Sequence, residues 1–141
     1  MPTITIEVFQ KNVAFRDDPP AVGAGAAKLG DQTFFTDDLL DSAGREVGTH
    51  SGFCTRLRVT PGAAPDLYQC QATYVLHPAT GTSQPQRGQV TARGAANIPL
   101  AVNQSVKSAI TGGTDAYMNA RGEVTVTQLA DRQRFVLDLV V

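Results

Sequence analysis

The sequence has few of the residues that mark metal or nucleic-acid sites. Its two cysteines, Cys54 and Cys70, form no CxxC pair, and its two histidines, His50 and His77, are isolated. Zinc sites need closely spaced Cys and His ligands, so no metal is expected. Both histidines lie at or near predicted turns and are expected at the surface. A formal net charge of −1 provides no basic surface for nucleic acid or an anionic membrane.

Long apolar runs are also absent. No stretch approaches the roughly 20 residues that span a bilayer. The opening MPTITIEVFQ has neither the basic nor the apolar segment of a secretory signal. These absences predict a cytoplasmic protein. In a reducing cytoplasm, Cys54 and Cys70 are expected to be free, buried thiols.

Familiar catalytic and nucleotide-binding motifs are missing as well. Gly112-Gly113 is not followed by the Lys-Ser/Thr of a P-loop, and a strand-like segment instead of a helix follows Gly122. There is no GxSxG, and no Ser-His-Asp or Cys-His arrangement stands out. The glycine pair is therefore interpreted as a turn between strands, where glycine supplies a positive φ or allows close backbone approach.

What the sequence does contain is repeated alternation of apolar and polar residues. At 42% hydrophobic and 18% charged residues, the composition is globular, and 141 residues suit a single domain spanning 1–141. No stretch combines helical spacing with caps. The alternation predicts eight short antiparallel strands, in a sandwich or a barrel. They are 3–10, 32–40, 52–60, 66–76, 87–94, 104–111, 122–129 and 133–141.

The predicted hairpin around Gly62 has two faces, and each carries both polar and apolar side chains. If the turn is centred there, Cys54 lies nearly opposite Cys70, on one face with Arg56, Ala72 and Tyr74. Neither face is cleanly apolar, which suits a barrel whose lumen holds some polar groups. Arg56 either reaches the rim or acts as a catalytic arginine, and the rim is favoured.

Three stretches carry a family resemblance, LGDQTFFTDDLLDSAGREVGTHSGFC, QCQATYV and AITGGTDAYMNARGEVTV. They resemble the allene oxide cyclase-like barrels, which share their fold with plant dirigent proteins. Related bacterial barrels are similar to polyketide cyclases, including spirotetronate-type Diels–Alder enzymes. The resemblance covers roughly residues 29–141 and implies an eight-stranded antiparallel β-barrel, usually dimeric or trimeric, with an apolar substrate in its lumen. Asp115 departs from the family's GGTG, but Asp tolerates left-handed conformations.

The resemblance also implies site residues. Glu7 matches a first-strand glutamate that assists the reacting epoxide in the plant enzymes. Asp37 stands in place of a lumen asparagine, and Cys54 matches a lumen cysteine. The tyrosine expected after the GQVTARG strand is absent, which argues against true allene oxide cyclase activity.

The function predicted from these observations is stereoselective ring formation, such as a [4+2] cyclisation of a polyene or polyketide-like substrate, without a cofactor. The barrel would act as an entropy trap. Tyr74 or Arg56 would donate a hydrogen bond, and Glu7 and Asp37 would orient the substrate or act as a base. Residues 11–30 and 95–105 would cap the barrel. The side chains expected to line the substrate site are Cys54, Cys70, Phe9, Phe35 and Ala72.

Two alternatives remain open. A dirigent-like or small-hydrophobic-ligand-binding barrel would orient or carry a molecule without accelerating a reaction. A structural homo-oligomer would have a filled barrel and no cavity. In either enzyme or carrier, the expected partners are a hydrophobic small molecule and further copies of the chain, as a homodimer or homotrimer.

Overall fold

Eight antiparallel strands close into a barrel in the computed structural model, which describes residues 3–18, 27–62 and 65–141. The strands follow one another around the barrel in chain order, and β8 pairs with β1 to complete it. A short 3₁₀ helix, Asp115–Tyr117, connects β6 to β7. The strands are β1 Thr3–Asp18, β2 Gln32–Leu40, β3 Glu46–Arg58, β4 Asp66–Leu76, β5 Gly88–Ile98, β6 Ser105–Gly113, β7 Arg121–Gln128 and β8 Gln133–Val140. No helix in these ranges is long and apolar enough to cross a membrane.

The predicted all-β barrel is confirmed, and each predicted strand overlaps an observed one. The largest difference is in β1, which continues to Asp18 where a loop over 11–30 was expected. Beyond a register shift between Lys11 and Ala14, β1 pairs only with β2 and leaves both faces exposed. A strand without a buried face has no reason to alternate, so the pattern missed it. Residues 19–26 of the expected loop lie outside the described residues.

One end of the barrel is filled by its own side chains. Inward-facing residues of all eight strands pack there with Tyr117 from the 3₁₀ helix, whose hydroxyl donates to the carbonyl oxygen of Gln86 at 2.6 Å. We call this the closed end, and its most deeply buried side chains include Val8, Leu39, Val47, Leu76, Val90, Val124, Leu137 and Leu139. The opposite end of the barrel, where β1 ends and β2 begins, is hollow.

Gly112 and Gly113 end strand β6 and do not form the turn itself. Neither has a positive φ; the left-handed residues of the connection are Asp115, at φ 56°, and Asn119, at φ 64°. Gly113 lies against two backbones, because a Cβ there would be 2.7 Å from the carbonyl oxygen of Gln89 and would also collide with the carbonyl of Tyr117. Of the two interpretations of the glycine pair, close backbone approach therefore applies, and only at Gly113.

Cys54 and Cys70 are bonded to each other as a disulfide, so the expectation of free thiols is wrong. Their opposition in the hairpin was predicted, and they are direct partners between β3 and β4, with a Cα–Cα distance of 4.0 Å. The expectation of free thiols depended on the assumed compartment and not on this geometry. Two cysteines at directly opposed antiparallel positions are close enough to bond.

Candidate functional site

The hollow end of the barrel contains a cavity of about 650 Å³. One wall is aromatic, with Phe15, Phe35, Tyr68, Tyr74 and Phe135. The wall formed by β5 and β6, with Ala72 of β4, carries mainly small side chains, which are Ala72, Ala92, Gly94, Ala95, Ala96 and Ser108. The volume falls in the range typical of small-molecule sites, and walls of this composition suit an apolar ligand. We call this space the cavity.

An aspartate–histidine pair lies at the inner end of the cavity. Asp37 and His50 are direct neighbours across β2 and β3. The His50 Nδ1 atom is 2.9 Å from Asp37 Oδ2 and 3.1 Å from Oδ1. Asp37 is 2% exposed and His50 5% exposed. His50 lines the cavity, whereas Asp37 lies behind it. A buried carboxylate that holds one imidazole nitrogen is the arrangement that orients a histidine as a base.

Aromatic rings enclose the imidazole of His50. Ring centroids lie 4.8 Å away for Phe35, 4.7 Å for Tyr74 and 4.5 Å for Phe135. The expectation that His50 is a surface residue is wrong, because β3 begins at Glu46 and places His50 inside a strand. The sequence contained a signal for this: Cys54 was expected to face inward, and a residue four positions earlier in the same strand shares its face.

Gln10, which lines the cavity, completes the polar group at its inner end. Its Nε2 donates to Asp37 Oδ2 at 3.2 Å, and its Oε1 accepts from the backbone N–H of Gln133 at 2.9 Å. With Asp37 acting as acceptor, the hydrogen-bond network assigns a proton to His50 Nδ1. His50 Nε2 then carries a lone pair, and it has no hydrogen-bond partner in the part of the chain that the structure describes.

Tyr74 provides a hydrogen-bond donor beside His50. It lines the cavity, and among the described residues its hydroxyl has no hydrogen-bond partner. Burial raises the pKa of Tyr74 far above its usual value, and the negative charge of Asp37 raises it further. Tyr74 is therefore a neutral phenol at any physiological pH and can donate to a ligand. The site thus combines a nitrogen acceptor with an oxygen donor.

The raised pKa of Tyr74 predicts a loss of stability in alkali. The unfolded chain releases the tyrosine proton near pH 10, whereas folded Tyr74 retains it. Above pH 10 the unfolded state therefore binds fewer protons, and the free energy of unfolding falls as pH rises. The free energy of unfolding, measured with denaturant, should fall by about 1.4 kcal/mol per pH unit more in the wild type than in Tyr74→Phe. Equal slopes would contradict the shift.

Most of the predicted substrate-binding residues line the cavity. Tyr74, predicted as a hydrogen-bond donor, lies there with Cys54, Cys70, Phe35 and Ala72. These positions follow from the β3–β4 register, which puts Cys54 opposite Cys70 as the hairpin predicted. Of the segment expected to cap the barrel, 95–105, several residues also line the cavity, including Pro99, Leu100 and Val102.

Two predicted residues of β1 face away from the cavity. Glu7 is exposed on the outer surface, with an oxygen 4.0 Å from Arg134 Nε. Phe9 also faces outward, and the guanidinium of Arg132 lies 4.5 Å from its ring centroid. The structure corrects both site predictions. Gln10 does reach the cavity, with Val13 and Phe15 farther along β1, and continuing the inward alternation of Ile6 and Val8 by two positions would have found it.

Arg56 lies near the end of β3 and is outside the cavity lining. It forms an ion pair with Asp66, lies 3.7 Å from Asp31, and stacks its guanidinium 5.0 Å from the ring centroid of Tyr68. Its charge is already matched by two carboxylates, so it is not available as a catalytic donor. The favoured interpretation, a rim residue, fits this placement. No cluster of three metal-ligating side chains occurs within residues 3–18, 27–62 and 65–141.

Comparison with known proteins supports the fold along the whole chain. A family model described as an allene oxide cyclase barrel like domain matches residues 4–141. A solved pyocyanin demethylase is 30% identical, with a TM-score of 0.71 over 99% of this chain and 100% of that chain. A search of curated protein sequences finds no match.

Two further solved structures are similar in fold. An exo-specific intermolecular Diels–Alderase is 16% identical, with a TM-score of 0.67 over 99% of this chain and 98% of that one. A pterocarpan synthase dirigent protein is 14% identical, with a TM-score of 0.70 over 98% and 89% of the two chains. The resemblance drawn from the sequence motifs is confirmed: the chain belongs to the allene oxide cyclase barrel-like family.

Proposed function

We propose that this protein is an enzyme that transfers a proton on a flat, conjugated small molecule held in the cavity. One observation carries the proposal: the buried Asp37–His50 pair opens onto an apolar cavity beside Tyr74. His50 and Tyr74 both line the cavity, and His50 Nε2 and the Tyr74 hydroxyl have no hydrogen-bond partner among the described residues. A ligand that bonds to both would satisfy them.

The proposed chemistry uses a base and a donor. His50 Nε2 removes a proton from a carbon or nitrogen of the conjugated system, and Asp37 stabilises the imidazolium that results. Negative charge moves through the conjugated system to an oxygen or ring nitrogen, which receives a hydrogen bond from Tyr74. Return of the proton to a different atom completes a tautomerisation, with no net oxidation.

The shape of the cavity supports a planar substrate. Aromatic side chains on one wall can stack against a flat ring system, and the small side chains of Ala92, Gly94 and Ala96 leave room for its thickness. The 30% identity with a pyocyanin demethylase over the full length of both chains favours the same class of ligand. Pyocyanin is a planar, three-ring nitrogen heterocycle. We therefore infer a polycyclic nitrogen heterocycle as substrate.

Ring closure of a polyene or polyketide-like chain is the second candidate. A cavity of about 650 Å³ can hold a flexible chain folded with its reacting ends together. The solved Diels–Alderase has the same fold, although at 16% identity it supports the fold alone. A concerted [4+2] addition needs no base and would leave the Asp37–His50 pair without a role. For that reason proton transfer is the leading proposal. A homodimer or homotrimer in the cytoplasm remains a prediction.

Deuterium exchange distinguishes proton transfer from ring closure. The protein is incubated in D₂O with pyocyanin or with a linear polyene that carries a diene and an activated alkene. The proposal expects enzyme-dependent deuterium incorporation into pyocyanin, followed by NMR and mass spectrometry. A cyclic product from the polyene, without exchange on pyocyanin, would support the cyclase instead. Saturable binding of either compound without exchange or product would identify a non-catalytic carrier.

A further inference from the structure

We propose that Gln10 is a positioning residue that keeps His50 in the form that accepts a proton. The inference rests on the proposed role of His50 as a base. Gln10 is 8% exposed and lies between the backbone of β8 and the carboxylate of Asp37. It is the polar residue of β1 that continues the inward face of Ile6 and Val8.

The orientation of the Gln10 amide is determined by the backbone. The N–H of Gln133 can only donate, so the atom of Gln10 that it meets at 2.9 Å must be the oxygen. The amide nitrogen is then directed at Asp37 Oδ2, 3.2 Å away. A side chain held at both ends in this way cannot flip without losing two buried hydrogen bonds.

The orientation of Gln10 restricts Asp37 in turn. Asp37 Oδ2 accepts from Gln10 and also lies 2.9 Å from His50 Nδ1. Oδ1 lies 3.1 Å from the same Nδ1, so the carboxylate directs both oxygens at His50, and the Gln10 amide holds the plane of the carboxylate in that orientation. Nδ1 therefore keeps its proton, and the lone pair stays on Nε2. Without the amide of Gln10, the carboxylate is free to turn, and neutral His50 can adopt either tautomer.

Gln10 also links the Asp37–His50 pair to a turn that lines the cavity. Gln133 is the first residue of β8, and the turn that precedes it, 129–132, lines the cavity. That turn is closed by a backbone hydrogen bond of 2.7 Å from Leu129 to Arg132. A ligand that contacts this turn is thus separated from Asp37 by the backbone of Gln133 and one side chain. Ligand binding at this turn and the positioning of His50 therefore both depend on the contact between Gln133 and Gln10.

The test compares Gln10→Met with the wild type. In ¹⁵N-labelled full-length protein, the ring-nitrogen chemical shifts of His50 report where the neutral imidazole holds its proton. We expect a single Nδ1–H form in the wild type and a mixture of the two tautomers in Gln10→Met. With pyocyanin as probe, kcat for deuterium exchange should fall about 10- to 100-fold, with KM within about twofold.

Gln32→Met is the matched control. Gln32 lies outside the cavity lining, and its amide donates to the hydroxyl oxygen of Thr55 at 3.2 Å. It makes no hydrogen bond to Asp37. This variant should retain the Nδ1–H tautomer and most of kcat. If it shifts the His50 signals as Gln10→Met does, general loosening of the barrel explains the effect and the proposal is overturned.

A second variant covers the case in which Gln10→Met does not fold. Gln10→Asn keeps an amide at this position, but its side chain is one methylene shorter and cannot reach both Asp37 and the backbone of Gln133. It should also yield mixed tautomers and a kcat at least about tenfold lower. Wild-type His50 signals in either folded variant would overturn the role of Gln10. Absence of exchange by the wild type, with its Nδ1–H tautomer intact, would count against the proposed function alone.

Discussion

Replacement of His50 by glutamine is expected to lower the rate of deuterium exchange on a bound substrate by about 10²- to 10⁴-fold. A glutamine side chain can still hydrogen-bond to Asp37, but its amide cannot take up a proton at neutral pH. The apolar walls supply most of the contact with the ligand, so the dissociation constant should change little. Exchange rates by NMR and binding by fluorescence quenching would measure the two effects separately.

His77→Gln is the control for that substitution. His77 is the other histidine of the chain, its Nδ1 lies 2.9 Å from the carbonyl oxygen of Pro78, and it is outside the cavity lining. Exchange by this variant should match the wild type. If His50→Gln keeps its rate within about twofold, or if both variants lose activity alike, His50 is not the base.

Replacement of Gly113 by alanine is expected to lower the free energy of unfolding by about 3 kcal/mol or more. The added Cβ would lie 2.7 Å from the carbonyl oxygen of Gln89 and 2.9 Å from the Cβ of Tyr117. The first of these is backbone in the neighbouring strand, so β6 must move away from β5 to accommodate it. Because Tyr117 plugs the closed end, the same shift disturbs the core. Denaturant unfolding would measure the change.

Gly112→Ala is the matched comparison, one residue away. A Cβ at Gly112 would meet only the Thr91 hydroxyl oxygen, at 3.9 Å, and the residue has no positive φ. Its free energy of unfolding should stay within about 0.5 kcal/mol of the wild type. Similar losses at both positions would contradict the view that only Gly113 marks a close approach of two backbones.

Local pattern predicted the strands because each has one face buried and one exposed. Where that condition fails, the prediction fails: the outer half of β1 has no buried face, and its sequence predicts a loop. The β3–β4 hairpin was predicted in register, since opposition of Cys54 and Cys70 needs only a turn position. Whether the two sulfurs are bonded depended on the geometry between strands, which the pattern does not contain.

The residues of the candidate site were also predicted only in part. Strand alternation places Gln10 on the inner face of β1. The family resemblance instead selected Glu7, which lies on the opposite face of the strand. Asp37 was selected from a motif, and the structure places it as a buried partner of His50 beside the cavity. His50 was missed because the start of β3 was placed too late, so a strand residue was assigned to a turn.

The sequence by itself determined eight antiparallel strands, since alternation and turn residues are local properties that each segment carries alone. The family resemblance, and not the alternation, indicated that these strands close into a barrel. Tertiary structure alone decided that one end of the barrel is filled and the other hollow, and that Asp37, His50 and Gln10 meet there. Those contacts join residues from three strands, and their distances depend on how the sheet curves to close, which no single segment specifies.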